Sequence, residues 1–251
     1  MCGRFTLTTS GEQLAAAFRL GEVRSLQPRY NIAPTQPVLA VVSRDKRDHA
    51  KAGTRHVRVF QWGLVPSWAK DAKMSARLIN ARAETVQEKP SFRTALKRRR
   101  CLIVADGFYE WQKTSSGKQP YFFYQPYLPE PASEPAKSSE AAMPTEPRPA
   151  RQPFGFAGLW EHWEVGDGSV LESCTIVTTE ANADMQPIHD RMPVILSPRD
   201  YDLWLDPGLQ DGEAVRSLLT PGNLGDLARY PVSTVVNNAR HDSPDCLEPL
   251  A

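Results

Sequence analysis

The sequence predicts an α+β fold, a single domain of mainly antiparallel strands with a few short helices. Three observations point there. Short apolar runs recur between Gly, Pro, Asn and Asp turn clusters with hairpin-like spacing. Helical periodicity is confined to brief segments, each with its own start signal. The strand-like runs on the two sides of a proline-rich stretch have the same character, so the 251 residues read as one domain interrupted by a loop, not as two.

The chain opens with Ser10-Gly-Glu-Gln13, which fits a capping box. Leu14, Ala17 and Phe18 follow at helical spacing and predict a helix over residues 11–20, with Gly21 as its C′ stop. Turn-rich PRYNIAPTQP leads into β-like runs at 38–43 and 56–63, and the charged RDKRDHAKAGT between them reads as a hairpin loop. A second helix is predicted over 92–99, capped by Ser91 after Pro90. Cys101-Leu-Ile-Val104 has the unbroken apolar character of a buried strand. Asp106-Gly107 then turns the chain into Phe-Tyr-Glu-Trp111, and Ser116-Gly117 marks a hairpin into 121–124.

Residues 126–153 carry eight of the 22 prolines and almost no large apolar side chains. Such a segment cannot offset the entropy of ordering, and it is predicted to be a disordered surface insertion. Strand patterns return at 154–163 and 173–178 across Gly166-Asp-Gly168. Ser197-Pro198 opens an amphipathic helix through Tyr201, Leu203 and Trp204, and a last strand fits 232–236.

The net charge of +1 conceals a strong asymmetry. Residues 1–100 hold 20 Lys/Arg against 7 Asp/Glu, a net of +13, and the remainder holds 10 against 22, a net of −12. The excess is densest over 51–100, with 13 basic and 3 acidic residues. This is the footprint of a polyanion-binding face, unless the two halves fold together and pair their charges. The sequence lacks a run long and apolar enough for a membrane span, and its start lacks a signal-peptide core, so it reads as soluble, cytosolic or nuclear. Cys2, Cys101, Cys174 and Cys246 are far apart and form no CxxC or His/Cys cluster, so neither a metal site nor a disulfide framework is signalled. Absence of a P-loop, GxGxxG, HExxH or GxSxG pattern argues against nucleotide hydrolysis, hydride transfer and metalloprotease chemistry, and no cofactor is expected.

Several residues carry candidate chemistry, each with a plainer alternative. Removal of Met1 would leave Cys2 with an amine and a thiol on one residue, a 1,2-aminothiol suited to aldehydes; the alternative is a frayed terminus. Gly3, Arg4 and Phe5 supply a joint, a phosphate-capable fork and an aromatic anchor. Glu110 lies among Phe108, Tyr109 and Trp111, where desolvation would fit it for acid/base work, unless strand alternation turns it to solvent. His189 precedes Asp190 in a loop and reads either as a proton carrier or as a structural imidazole. Asn80 offers an orienting amide and Arg82 a phosphate grip, or else a cap and a solvated cation. Trp62 and Trp68, with Pro66 between them, lie on the basic 51–100 segment, as a platform for unpaired bases or as core.

Taken in order, MCGRF, YNIAPTQ, WGLVPSWAKD, INARAET, RCLIVADGFYEW, PFGFAGLWE and IHDRMPVIL resemble the SRAP (SOS-response-associated peptidase) family over nearly the whole chain. The resemblance implies a compact domain of curved, mainly antiparallel β-sheets with peripheral helices. It implies a sensor of abasic sites in single-stranded DNA that captures the ring-opened sugar aldehyde as a thiazolidine crosslink and shields the lesion from strand cleavage. By the same resemblance Cys2 crosslinks, Asn80 positions it, Glu110 is the acid/base carboxyl and His189 assists ring opening. Arg4, Arg82, Trp68, Thr178 and Arg191 contact DNA, with Pro34 and the 62–68 loop near the flanking bases. A monomer is expected, nucleoid-associated in the cytoplasm of a bacterium or nuclear in a eukaryote; a partner at replication forks is left open. Two alternatives stand beside this: an N-terminal-nucleophile thiol peptidase that releases Met1, and a non-catalytic single-strand-binding module.

Overall fold

A computed structural model describes residues 2–24, 26–43, 54–127, 151–164, 168–221 and 227–250. In chain order the elements are β1 (Arg4–Leu7), α1 (Gly11–Phe18), β2 (Arg29–Ile32), β3 (Pro37–Ser43), β4 (Arg55–Trp62), β5 (Asn80–Arg82), α2 (Arg93–Arg98), β6 (Arg100–Ala105) and β7 (Gly107–Thr114). There follow β8 (Gly117–Tyr124), β9 (Phe154–Glu164), β10 (Val170–Glu180), β11 (Arg191–Pro193), β12 (Ile195–Leu196), α3 (Tyr201–Leu205), α4 (Gly212–Arg216) and β13 (Ala228–Pro231).

Strands β10, β4, β3, β6 and β9 pair in that order, and β9 pairs back onto β10, which closes a barrel. β10 runs parallel to β4 and to β5. The second sheet, β13-β8-β7-β1-β2, is antiparallel throughout. β6 is buried at every position because it is packed between the barrel interior and helices α2 and α3, as its unbroken apolar run requires. The two sheets share one core: Phe5 of β1 meets Trp62 edge-on at 5.1 Å and Phe156 of β9 at 5.8 Å. Among the described residues no helix is long and apolar enough to cross a membrane.

The α+β expectation holds, and several local readings are corrected. The Ser10–Gln13 capping box is present, but α1 ends at Arg19 in the left-handed region (φ 52°), two residues before Gly21. Helix α2 starts without a side-chain cap; Lys89 O accepts the Phe92 and Arg93 N–H groups, so Ser91 is not needed there. The 232–236 run is not a strand: Ser233 caps a 3-10 turn over Thr234–Asn237, and the strand lies just before it. The predicted turn at Asp106-Gly107 marks the step from the barrel to the second sheet. A Cβ at Gly107 would lie 2.1 Å from the Phe122 ring, so only glycine fits. The β3–β4 pairing fits the predicted hairpin, but residues 44–53 of its loop lie outside the described residues. So do 128–150 of the predicted insertion and 165–167 of the Gly166-Asp-Gly168 connection; the insertion's described ends pair through Pro126 and Arg151.

Asp106 fastens the step between the sheets. It is buried, and it accepts bonds from Thr6 Oγ1 (2.5 Å), Thr8 N and Oγ1 (2.6 and 2.7 Å) and Thr9 N and Oγ1 (2.9 and 3.0 Å). Asp106→Ala strands these donors and is expected to lower unfolding free energy by about 3 kcal/mol, measured by urea titration. A loss within experimental error would show that water replaces the carboxylate.

Candidate active site

Register brings the first candidates together. β1 pairs with β7 through Arg4↔Tyr109, Phe5↔Phe108 and Thr6↔Gly107, so Glu110, one residue beyond Tyr109, lies beside the residues that precede Arg4. Asn80 opens β5 opposite Ile176 of β10, and its Nδ2 donates to Cys2 O at 2.9 Å. Trp62 Nε1 donates to Ile79 O at 2.9 Å and steadies the backbone just before Asn80. His189 sits on the connection from β10 to β11. Gln112 of β7 ties that connection to the strand of Glu110 by donating to Pro187 O at 3.0 Å.

Burial sets the electrostatics. Cys2 is fully buried and Glu110 nearly so. Desolvation pushes the Glu110 carboxyl above its ordinary range, and nearby positive charge, His189 included, opposes the rise. Burial, and next the charge of Glu110, pushes the Cys2 thiol far up, so it is protonated at neutral pH. The His189 side chain is 28% exposed. Its Nδ1 accepts the Arg191 N–H at 3.0 Å, which leaves the proton of the neutral ring on Nε2. Asp190 Oδ1 lies 2.9 Å from the same Nδ1 and accepts from it when that nitrogen carries a proton.

His189 opens onto a groove of about 820 Å³ lined also by Arg82, Glu180, Gln186, Asp190 and Arg191. Arg82 is exposed there. Arg191 is held: its guanidinium binds both oxygens of Glu84, at 2.8 and 3.0 Å, and donates to Thr178 O at 2.8 Å and Oγ1 at 3.3 Å. Partial desolvation raises the Glu84 pKa, but the Arg191 hydrogen bonds, a backbone hydrogen bond and the charges of Arg191 and Arg82 together outweigh it and hold the carboxyl below the usual range. Thr178 is fully buried and meets Arg191, not solvent. Arg4 commits its guanidinium to Asn31 Oδ1 (2.8 Å), Val236 O (2.6 Å) and Asn237 O (3.2 Å).

The two indoles separate: Trp62 is core and Trp68 is 56% exposed. Pro34 is half-buried in a turn bonded to the Trp62 backbone through Thr35 N→Trp62 O at 2.7 Å. Nothing in the sequence marks Glu84, Gln112 or Asn31. Each acts through a partner far along the chain, so spacing carries no signal of it. The fold also gathers His241, Asp245 and Cys246, a grouping the cysteine spacing did not disclose. His241 Nε2 is within 2.9 Å of Asp245 and Ser243 oxygens, so the cluster is closed by its own hydrogen bonds.

Residues 1–239 match the family described as SOS response associated peptidase (SRAP). The chain belongs to the SRAP family. Its SRAP relatives include the abasic site processing protein YoqW of Bacillus subtilis, 38% identical over 251 residues and covering 99% of each chain. The abasic site processing protein HMCES of Xenopus tropicalis is 34% identical over 269 residues, covering 98% of this chain and 78% of that protein. A crystal structure of a Bacteroides thetaiotaomicron protein matches all of both chains with a TM-score of 0.74 at 23% identity, a likeness of fold.

Proposed function

We propose that this chain processes abasic sites in single-stranded DNA by covalent capture, with Cys2 as the nucleophile once Met1 is removed. The observation that carries the reading is the convergence on residue 2 of a buried carboxyl, an orienting amide and an imidazole that opens onto an arginine-lined groove. The names of the SRAP relatives support the substrate class.

An abasic sugar exists partly as an open-chain aldehyde. The freed amine of Cys2 adds to that carbonyl and loses water to give an imine; the thiol then adds across C=N, its proton passing to nitrogen, and a five-membered thiazolidine closes. One water is released overall. Glu110, whose carboxyl is pushed toward its protonated form by desolvation, can give a proton to the departing hydroxyl and take one from the thiol. His189, which lines the groove, assists sugar ring opening. Asn80 fixes the residue 2 carbonyl, and its buried Oδ1, which accepts no bond within the described residues, offers an acceptor for the amine. An abasic nucleotide has no base to unstack, which lowers the cost of bringing its sugar to the pocket.

The raised thiol pKa favours this route over a thiol peptidase, which needs a thiolate to attack first, whereas here the amine attacks first. Removal of Met1 by the chain itself stays compatible with it. The test is intact mass of the Met1-free protein after incubation with a single-stranded oligonucleotide carrying one abasic site. A stoichiometric adduct equal to protein plus DNA minus one water is expected, and no adduct would overturn the reading.

DNA binding is assigned to the groove and the exposed Trp68, with Pro34 at the flank. Arg82→Ala is expected to reduce the salt slope of single-strand binding by about 0.7. An unchanged slope would remove Arg82 from the contact. Arg191 reaches a phosphate only in competition with Glu84, and Thr178 acts by holding Arg191. The internal bonds of Arg4 give it a structural share beside any phosphate contact.

A further inference from the structure

A second basic cleft, of about 410 Å³, opens between the ends of β3, β4, β6 and β9 and the segment after α3. His56, Arg58, Arg98, Arg99, Arg100 and His162 line it. None of these belongs to the site at Cys2. Glu172, which pairs with Arg58, precedes Ile176, the partner of Asn80, by four residues on β10. At strand spacing the cleft therefore begins about 13 Å along the barrel from Asn80.

The charge balance of the cleft is uneven. Arg58 pairs with Glu172, and Arg99 pairs with Glu161 at 2.6 Å. Arg98 is exposed and has no ion pair among the described residues. Arg100 is a buried cation held by the carbonyls of Leu96, Lys97, Trp204, Asp206 and Leu209 rather than by a carboxylate. By binding Leu96 O and Lys97 O it also neutralises the negative pole of α2, which would otherwise repel an anion. One donor waits unused: Arg99 Nε is buried without a hydrogen-bond partner among the described residues. Such an orphan is costly unless a ligand or solvent meets it.

We propose that this cleft is a second phosphate-binding site that grips the backbone of a nucleic acid strand, with Arg98 and Arg99 as the contacting groups. An extended polyanion fits better than a small anion because the charge does not stop at the cleft. Arg93 and Lys97 continue it past Arg98 along the exposed side of α2, where Arg93, Thr94, Lys97 and Arg98 line a shallow second hollow. The inference rests on the DNA-binding reading of the chain and extends it to a strand portion remote from residue 2.

The test uses the full chain and oligothymidylates without an abasic site, one of about 30 nucleotides and one of about 5. For the long strand, Arg98→Ala is expected to lower the salt slope by about 0.7 and to weaken binding about fivefold near 0.1 M salt, with Arg98→Lys restoring most of both. The short strand should bind wild type and variant alike. In wild-type protein the Arg99 Nε–H resonance should move when the long strand is added and not with inorganic phosphate at the same phosphate concentration. Identical slopes for wild type and Arg98→Ala on the long strand would overturn the proposal. A saturable shift of Arg99 by inorganic phosphate with unaltered DNA slopes would also overturn it, in favour of a small-anion site. Because these strands lack the lesion, failure of the crosslinking reaction would sink the reading at Cys2 without affecting this measurement.

Discussion

Cys2→Ser is expected to abolish the heat-stable adduct with abasic single-stranded DNA while keeping the imine. The serine amine still condenses with the aldehyde, so borohydride should trap a covalent species of protein plus DNA minus water plus two hydrogens. The serine hydroxyl is a far weaker nucleophile than sulfur and should not close a stable ring, so without reductant the adduct hydrolyses on heating. Cys2→Ala should behave in the same way. Adduct yield is expected to fall by at least about 10²-fold, the scale of losing a covalent nucleophile. The outcome that would sink the assignment is a heat-stable adduct that persists in both variants, which would place the bond on another residue. Loss of reductive trapping as well as of the stable adduct would point to a folding defect, since Cys2 is fully buried; thermal melts of both variants check that.

Glu110→Gln is the second large effect. Removing the buried carboxyl should slow adduct formation by about 10²–10⁴-fold, the usual contribution of a positioned acid/base group. DNA affinity should be nearly unchanged, because Glu110 is buried and not part of the groove lining. Stability gives an independent check on its ionisation. Desolvation raises the folded-state pKa above the ordinary value of 4.5. Between those two values the native state holds more protons than the unfolded chain, so stability falls as pH rises through that window. Below 4.5 the penalty is absent, and above the raised value it is complete. Glu110→Gln carries no such charge and should lose this pH dependence, melting above wild type at pH 8 and close to it at pH 4. A variant that reacts at the wild-type rate, or melts with the wild-type pH profile, would refute the assigned role.

The sequence reading of Glu110 was balanced between a desolvated acid and a solvent-facing strand residue. Alternation along Phe108-Tyr109-Glu110-Trp111 could not choose, because it knows only two faces and not what covers each. The Gln112 bond to Pro187 and the β1–β7 register cover the face of Glu110, and these contacts join residues 75 and more than 100 positions apart. Trp62 and Trp68 were equally matched as core or platform until the packing of Phe5 on Trp62 divided them. The charge asymmetry had two readings as well, and the pairing of the two halves is realised in part. Arg55–Asp202, Arg58–Glu172 and Arg99–Glu161 pair the basic first part with the acidic remainder, while Arg82 and Arg98 stay exposed.

What the sequence determined by itself was local or ordinal: the Ser10 capping box, the buried strand around 101–104, the hairpin at Gly117, and the order of motifs that places the chain in its family. Such features depend on hydrogen bonds and periodicity within a few residues, which the chain specifies wherever it lies. Tertiary structure alone decided which arginines are exposed and which are held by carboxylates, which carboxyl is desolvated, and that Cys2, Asn80, Glu110 and His189 lie near one another. Those properties come from what is excluded or brought near by distant segments, and burial, pKa and charge pairing are sums over space rather than along the chain.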